Sequence, residues 1–177
     1  CSSDLPDKTA DIVQSLKLPW VEILRRPGKA GLGAAYRAGF AHVLPLGKYS
    51  KIVTMDADGS HSPDFLENLY LESKKADIVI ASRYIKEGGT ENPWYLIAMS
   101  RLLNVTFAFV LSLPCKDVSN SYKIYDAKCI KNLRLVCDNF DVVEELIYKA
   151  HKENQTISIL EIPYNFKKRI HEENSDG

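Results

Sequence analysis

The sequence predicts an α/β protein whose mostly parallel sheet is flanked by helices. Three observations carry that prediction. Short β-branched runs alternate with amphipathic stretches between Lys8 and Ala81, as strands and crossover helices do in a parallel sheet. One run, residues 52–55, ends in Asp56-Ala57-Asp58-Gly59-Ser60, which puts two carboxylates at the C-terminal edge of a strand, where open α/β sheets bind ligands. At 177 residues the chain is long enough for one domain, which buries about 70% of its unfolded surface.

Taken in order, the pattern gives a helix over Lys8–Lys17, a strand over Val21–Leu24, and an Ala-rich helix over Ala30–Val43 that opens after a Gly-rich turn. The apolar strand 52–55 follows. Its alternation would turn both Asp56 and Asp58 toward one shared ligand. A helix over Pro63–Lys74 starts with Ser62 as N-cap and Pro63 at the first helical position. Asp77–Ala81 is a buried strand, which completes a βαβαβ unit that right-handed crossovers wind into a parallel sheet. The second half is less regular. A loop over Lys86–Trp94 leads into a long apolar segment, Tyr95–Leu113, broken by Arg101 and Asn104. Then come a strand over Val118–Tyr125, a helix over Val142–Lys152 and a strand over Thr156–Ile162 closed by Pro163. Residues 1–166 thus form the domain, and the charged residues 167–177 a tail or active-site flap.

Composition narrows the function. The 23 basic and 23 acidic residues balance, whereas a dedicated nucleic-acid binder needs a basic excess. Cys1, Cys115, Cys129 and Cys137 have neither the C-x-x-C spacing nor the clustering of a zinc site, and read as reduced thiols of a cytosolic protein. The sequence has no signal-like apolar region and no uninterrupted apolar run of about 18 residues. Its start at Cys1 suits either a mature lipoprotein end or, as the rest of the chain favours, a truncation.

Several clusters carry candidate chemistry. Asp56 and Asp58 repel at such short range unless a cation lies between them, which predicts a divalent metal holding a phosphorylated ligand; a polar turn after a strand is the plainer explanation. In Arg26-Pro-Gly-Lys29-Ala-Gly-Leu-Gly33, a Gly-rich strand-to-helix turn either brings backbone N–H groups to a phosphate or permits close helix packing. It is not a Walker A loop, because Lys29 precedes the glycines. Arg83 ends a strand at the same sheet edge, suited to a phosphate or to a structural carboxylate. Arg101 inside an apolar segment faces either an anion or solvent. Asp117–Lys123 offers an acid, hydroxyls and a lysine, while Asp141, Glu144 and Glu145 open a helix where its dipole favours acids. His61 is placed to ligate metal, to touch substrate, or to do neither. The Asp pair alone also suits a haloacid-dehalogenase-type phosphatase, although the later acidic pair of that fold is missing, or a non-catalytic nucleotide-binding domain.

Together these segments resemble family 2 glycosyltransferases, specifically the dolichyl-phosphate mannosyltransferase and polyprenyl-phosphate glycosyltransferase branch. The matching residues run in family order: Arg26–Gly39, Met55–Pro63, Ala81–Tyr84, Ser100-Arg101 with Asn104, Asp117–Tyr125, Phe140–Glu145, Glu161–Pro163, and Arg169 with Glu173 and Ser175. The resemblance implies a GT-A, Rossmann-like fold that moves a hexose, mannose for preference, from GDP-mannose or UDP-glucose to a polyprenyl or dolichyl phosphate. It assigns Asp56, Asp58 and Ser60 to Mg²⁺ or Mn²⁺ on the donor diphosphate, with Lys29, Gly33, Ala57, Arg83 and Arg169 around that donor. It places Asp58, Arg101, Asp117 and Lys123 in the catalytic set, with Arg101 and Lys123 on the acceptor phosphate. A phosphate monoester has a second pKa of about 6, so it attacks as an oxyanion without a strong general base. Tyr95–Leu113 then reads as an interfacial helix of a peripheral protein on the cytosolic face of a membrane, or else as a core helix. The chain departs from the family in lacking its first two strands and in carrying Lys123 where relatives commonly have Arg.

Overall fold

A computed structural model describes residues 9–26, 28, 30–154 and 156–167. The predicted Lys29 and Arg169 positions, Cys1 and nearly all of the predicted tail lie outside them. The elements are α1 (Thr9–Ser15), α2 (Gly31–Val43), β1 (Lys51–Thr54), α3 (Leu66–Glu72), β2 (Ile78–Ser82), β3 (Gly89–Thr90), α4 (Trp94–Val110), β4 (Lys123–Asp126), α5 (Ala127–Ile130), α6 (Val142–Glu153), β5 (Ile159–Pro163) and β6 (Asn165–Phe166).

The main sheet has the order β1-β4-β2-β5. β2 and β5 are parallel, while β4 is antiparallel to both β1 and β2. Three strands therefore run one way, in keeping with the mostly parallel sheet predicted, but β4 runs back between β1 and β2, so those two strands are not neighbours. The reason is where β4 enters. Lys123 pairs with Thr54 and Ile80, near the C-terminal ends of β1 and β2, so the chain can only go back along them. β3 and β6 make a separate parallel pair.

β2 anchors the core. Its five residues are all buried, and alternation sends Ile78 and Ile80 to one face and Val79 and Ala81 to the other. Ile78 and Ile80 pack with Tyr125, Val142, Leu146 and Ile147, so α6 covers that face together with Leu32, Tyr36 and Phe40 of α2. Val79 and Ala81 pack with Leu69 of α3, Tyr122, Ile124, Ile162 and Tyr164. Each such aliphatic side chain contributes about 1.5–3 kcal/mol by leaving water.

Three more expectations are corrected. Val21–Leu24 forms no strand: no ladder partner exists for it among the described residues, and Trp20 and Val21 are exposed. The strand predicted from Val118 begins only at Lys123, because residues 117–122 spend their hydrogen bonds on loop contacts. Residues 52–55 are not a buried run, since β1 is a sheet edge among the described residues and Val53 and Met55 are exposed.

Candidate active site

β1 stops at Thr54, and Asp56 and Asp58 sit in the turn beyond it rather than on its pleat. Gly59 has φ 81°, which turns the chain sharply back toward the protein. The turn is tied from behind. The Asp56 N–H donates to His61 Nδ1 at 2.9 Å. The hydroxyl of Tyr164 donates to the Ser60 carbonyl and accepts from the Ser62 N–H, both at 2.8 Å, and the Tyr122 hydroxyl donates to the Ser62 carbonyl at 2.9 Å. His61 is buried, with its ring stacked on Tyr122 at 4.7 Å and edge-on to Tyr164 and Phe166. Burial pushes its pKa down, against the upward pull of Asp56 and Asp58, in keeping with a neutral ring whose Nδ1 accepts. His61 thus holds the backbone of the turn from beneath, a role that a loop histidine does not disclose in sequence.

The carboxylates themselves are only partly enclosed. Asp58 Oδ1 accepts from both the N–H and the hydroxyl of the buried Ser60. Asp56 Oδ2 accepts from Ser121 Oγ at 3.0 Å, while no hydrogen bond reaches its Oδ1 among the described residues. Two carboxylates and a hydroxyl are hard oxygen donors, the kind Mg²⁺ and Mn²⁺ take when substrate phosphates and water supply the rest. No group of three or more His, Cys, Asp or Glu side chains gathers among the described residues.

Across the same edge, Arg83 follows β2 and meets Asp117 in a fork, with Nε to Oδ2 at 2.9 Å and Nη2 to Oδ1 at 2.6 Å. The Arg83 N–H also donates to Asp117 Oδ2. Burial works against the guanidinium charge, but Asp117 outweighs it and lifts the Arg83 pKa above its ordinary value. Glu161 of β5 accepts from Ser82 Oγ and from the N–H groups of Lys116 and Asp117, fixing that loop. Tyr84 lies between two cations, 5.0 Å from Arg83 and 5.4 Å from Arg101. Arg101 is exposed and has no ion pair among the described residues.

The two halves are joined by one loop. Asp117 and Ser119 bond Arg83, and Ser121 bonds Asp56. The structure thus brings together Asp56, Ala57, Asp58, Ser60, Arg83, Arg101 and Asp117. It buries Lys123 beside Asp117 and Arg83, and sets Gly33 against the loop at 137–138. Lys123 is fully buried, and its Nζ donates to the Val118 carbonyl at 2.6 Å, so it has no open path to a ligand. Burial pushes its pKa down to about 8. Gly33 serves packing: its N–H donates to the Asp138 carbonyl at 2.8 Å, and a Cβ there would meet the Cys137 carbonyl at 1.9 Å. Gly31, with φ 77°, faces the Asp138 carbonyl in the same way. Glu145 holds that loop through the Val136 and Cys137 N–H groups. Glu144 is half-buried with its pKa raised by burial, and Asp141 makes no side-chain cap of α6.

α4 is not a core helix. Asn104 is its only buried residue, whereas Trp94, Met99, Leu102, Val105, Phe109 and Val110 are exposed. No helix among the described residues is long and apolar enough to cross a membrane.

Comparison with known proteins agrees with this arrangement. The family described as glycosyl transferase family 2 matches residues 2–134. The chain is 34% identical over 170 residues to the polyprenol monophosphomannose synthase of Mycolicibacterium smegmatis, covering 93% of this chain and 64% of that protein. It is 36% identical over 133 residues to the undecaprenyl-phosphate mannosyltransferase of Micrococcus luteus, covering 73% of this chain and 54% of that protein. It is 28% identical over 168 residues to the dolichol-phosphate mannosyltransferase of Pyrococcus furiosus, covering 92% and 46%. The chain therefore spans between about half and two thirds of the length of these relatives. Among solved structures, glucosyl-3-phosphoglycerate synthase from Mycobacterium tuberculosis with Mg²⁺ and UDP superposes with a TM-score of 0.61 at 16% identity, covering 98% of this chain and 59% of that one. That likeness establishes the GT-A type of fold, and the phosphatase alternative falls. The chain belongs to glycosyl transferase family 2.

Proposed function

We propose that this chain carries the catalytic edge of an inverting transferase that moves mannose from GDP-mannose to a polyprenyl or dolichyl phosphate at a membrane surface. One observation supports the reading most: a single loop hydrogen-bonds both an acidic turn fit for a metal–diphosphate and Arg83, a cation fit for a phosphate. Asp56 and Asp58, with Ser60 behind them, would hold Mg²⁺ or Mn²⁺. When bound, the ion neutralises the charge that develops on the departing diphosphate.

The protein's own groups do the rest. His61, Tyr122 and Tyr164 fix the turn, so the two carboxylates keep their position when a charged ligand arrives. Arg83, held by Asp117, would support the donor diphosphate or sugar, and Arg101, stacked on Tyr84, would offset anionic oxygens of the acceptor. An acceptor phosphate is an oxyanion near neutral pH, which removes the need for a general base. Asp117, buried and doubly bonded to Arg83, acts as its positioning partner. A single displacement inverts the anomeric carbon. The exposed apolar side of α4, with Arg101 on the same helix, suits a lipid surface that presents the prenyl chain. Lys29 and Arg169 remain proposed donor contacts.

The test is transfer of labelled hexose into the organic phase from GDP-mannose or UDP-glucose, with polyprenyl phosphate in detergent or vesicles. Metal-dependent label from GDP-mannose is the expected result. Label from neither sugar nucleotide, by protein shown to be folded, refutes the reading.

A further inference from the structure

Asn104 is the one buried side chain of a helix whose other side chains are half or fully exposed, and all its polar atoms are engaged. Its Nδ2 donates to the Ser100 carbonyl and to Ser119 Oγ, both at 2.9 Å, and its Oδ1 accepts from the Ser119 N–H at 2.9 Å. Those partners fix the amide orientation, because a flipped amide would set N–H against N–H at Ser119 and oxygen against oxygen at Ser100. Ser119 Oγ also accepts from Arg83 Nη2 at 3.1 Å.

A hydroxyl has two acceptor lone pairs and one O–H. At Ser119 both lone pairs are filled by donors that cannot accept in return, so the hydroxyl must use its proton elsewhere. No acceptor for that proton exists among the described residues, and Ser119 is only half-buried. We infer that the Ser119 hydroxyl is an oriented hydrogen-bond donor to a phosphate oxygen beside Arg83, with Asn104 as the residue that sets its direction.

The inference rests on the reading of this edge as a phosphate-handling site. Chemically it adds a neutral, directed donor where the nearer cation is already half-neutralised by Asp117. The phosphate oxygen comes from the acceptor monoester or from the donor diphosphate, and both present the same acceptor atom to Ser119. The link also runs through α4, so the helix that faces outward holds the amide that aims the donor inward.

The experiment is a binding titration of inorganic phosphate, farnesyl phosphate and GDP to the wild type, Ser119→Ala, Ser119→Thr and Asn104→Ala, with thermal melts alongside. One charge-assisted hydrogen bond lost predicts weakening of about tenfold in Ser119→Ala. Ser119→Thr keeps the O–H and restores affinity. Asn104→Ala weakens binding less than Ser119→Ala, since it frees the hydroxyl without removing it. Weakening for farnesyl phosphate assigns the acceptor as the source, and weakening for GDP assigns the diphosphate. Equal affinity of wild type and Ser119→Ala for all three ligands overturns the inference, as do equal losses in the Ala and Thr variants or no binding by the wild type. A wild type that transfers no sugar but binds phosphate through Ser119 would refute the transferase reading alone. Active transfer with Ser119→Ala unchanged would refute the inference alone.

Discussion

The two halves of the candidate site are built on opposite plans. The acidic turn after β1 is clamped through its backbone, by His61, Tyr122 and Tyr164, while one oxygen of Asp56 is left without a hydrogen bond among the described residues. The cationic half after β2 is clamped through its charges, because Arg83 gives two of its donors to Asp117. The difference teaches how one sheet edge handles charge. At the acidic turn, where the proposed metal ion would arrive with its ligand, the protein fixes the main chain and leaves one Asp56 oxygen without a hydrogen bond among the described residues. Where the protein supplies the charge, it buries and pairs it, and leaves a second cation, Arg101, exposed on α4.

That comparison breaks most visibly at Asp117. Its side chain is fully buried against an Arg83 side chain 12% exposed, so Asp117→Ala strands a buried cation and is expected to cost about 3–5 kcal/mol, read as a large fall in the urea midpoint. If the melt is unchanged, the pair is not the strut described.

A second test concerns the buried Lys123. Its folded pKa of about 8 lies below the ordinary 10.5, so between those values the unfolded chain holds a proton that the folded one does not. Stability contributed by this group therefore rises with pH across that window, and the full penalty, on the order of 3 kcal/mol, applies below it. Lys123→Met is expected to gain on the wild type at pH 7 and to lose that gain as pH approaches 10.5. A pH-independent difference between the two proteins contradicts the burial.

Smaller effects sharpen the outer side. Leu102→Asp and Phe109→Asp, both on exposed positions, should leave the fold intact and weaken sedimentation with phospholipid vesicles by about tenfold. Vesicle binding equal to that of the wild type would remove α4 from the lipid surface.

Much of this was legible in sequence because it depends on local pattern. Residues 52–55 and 77–81 read as strands from their apolar β-branched runs, and Asp56, Asp58 and Arg83 then fall at strand ends. What was not legible depends on partners far along the chain. The antiparallel entry of β4 follows from the loop at 117–122, whose hydrogen bonds to residues 56, 83 and 104 no local pattern encodes. Only the family resemblance puts Lys123 on the acceptor phosphate, and no local pattern reveals that its strand sits between β1 and β2 with its side chain buried. At Gly33 the sequence leaves phosphate approach and close packing both open, because each asks the same thing of the chain, a missing Cβ, and the structure shows the packing. Asn104 was visible only as an interruption of an apolar segment.

The most direct measurement is Mn²⁺ binding, followed by electron paramagnetic resonance, to the wild type, Asp56→Asn and Asp58→Asn with and without GDP. The account predicts that GDP tightens Mn²⁺ binding in the wild type and that each Asn variant loses at least about a hundredfold of that affinity while keeping its melting temperature. Equal Mn²⁺ affinity in all three proteins, with or without GDP, would contradict it.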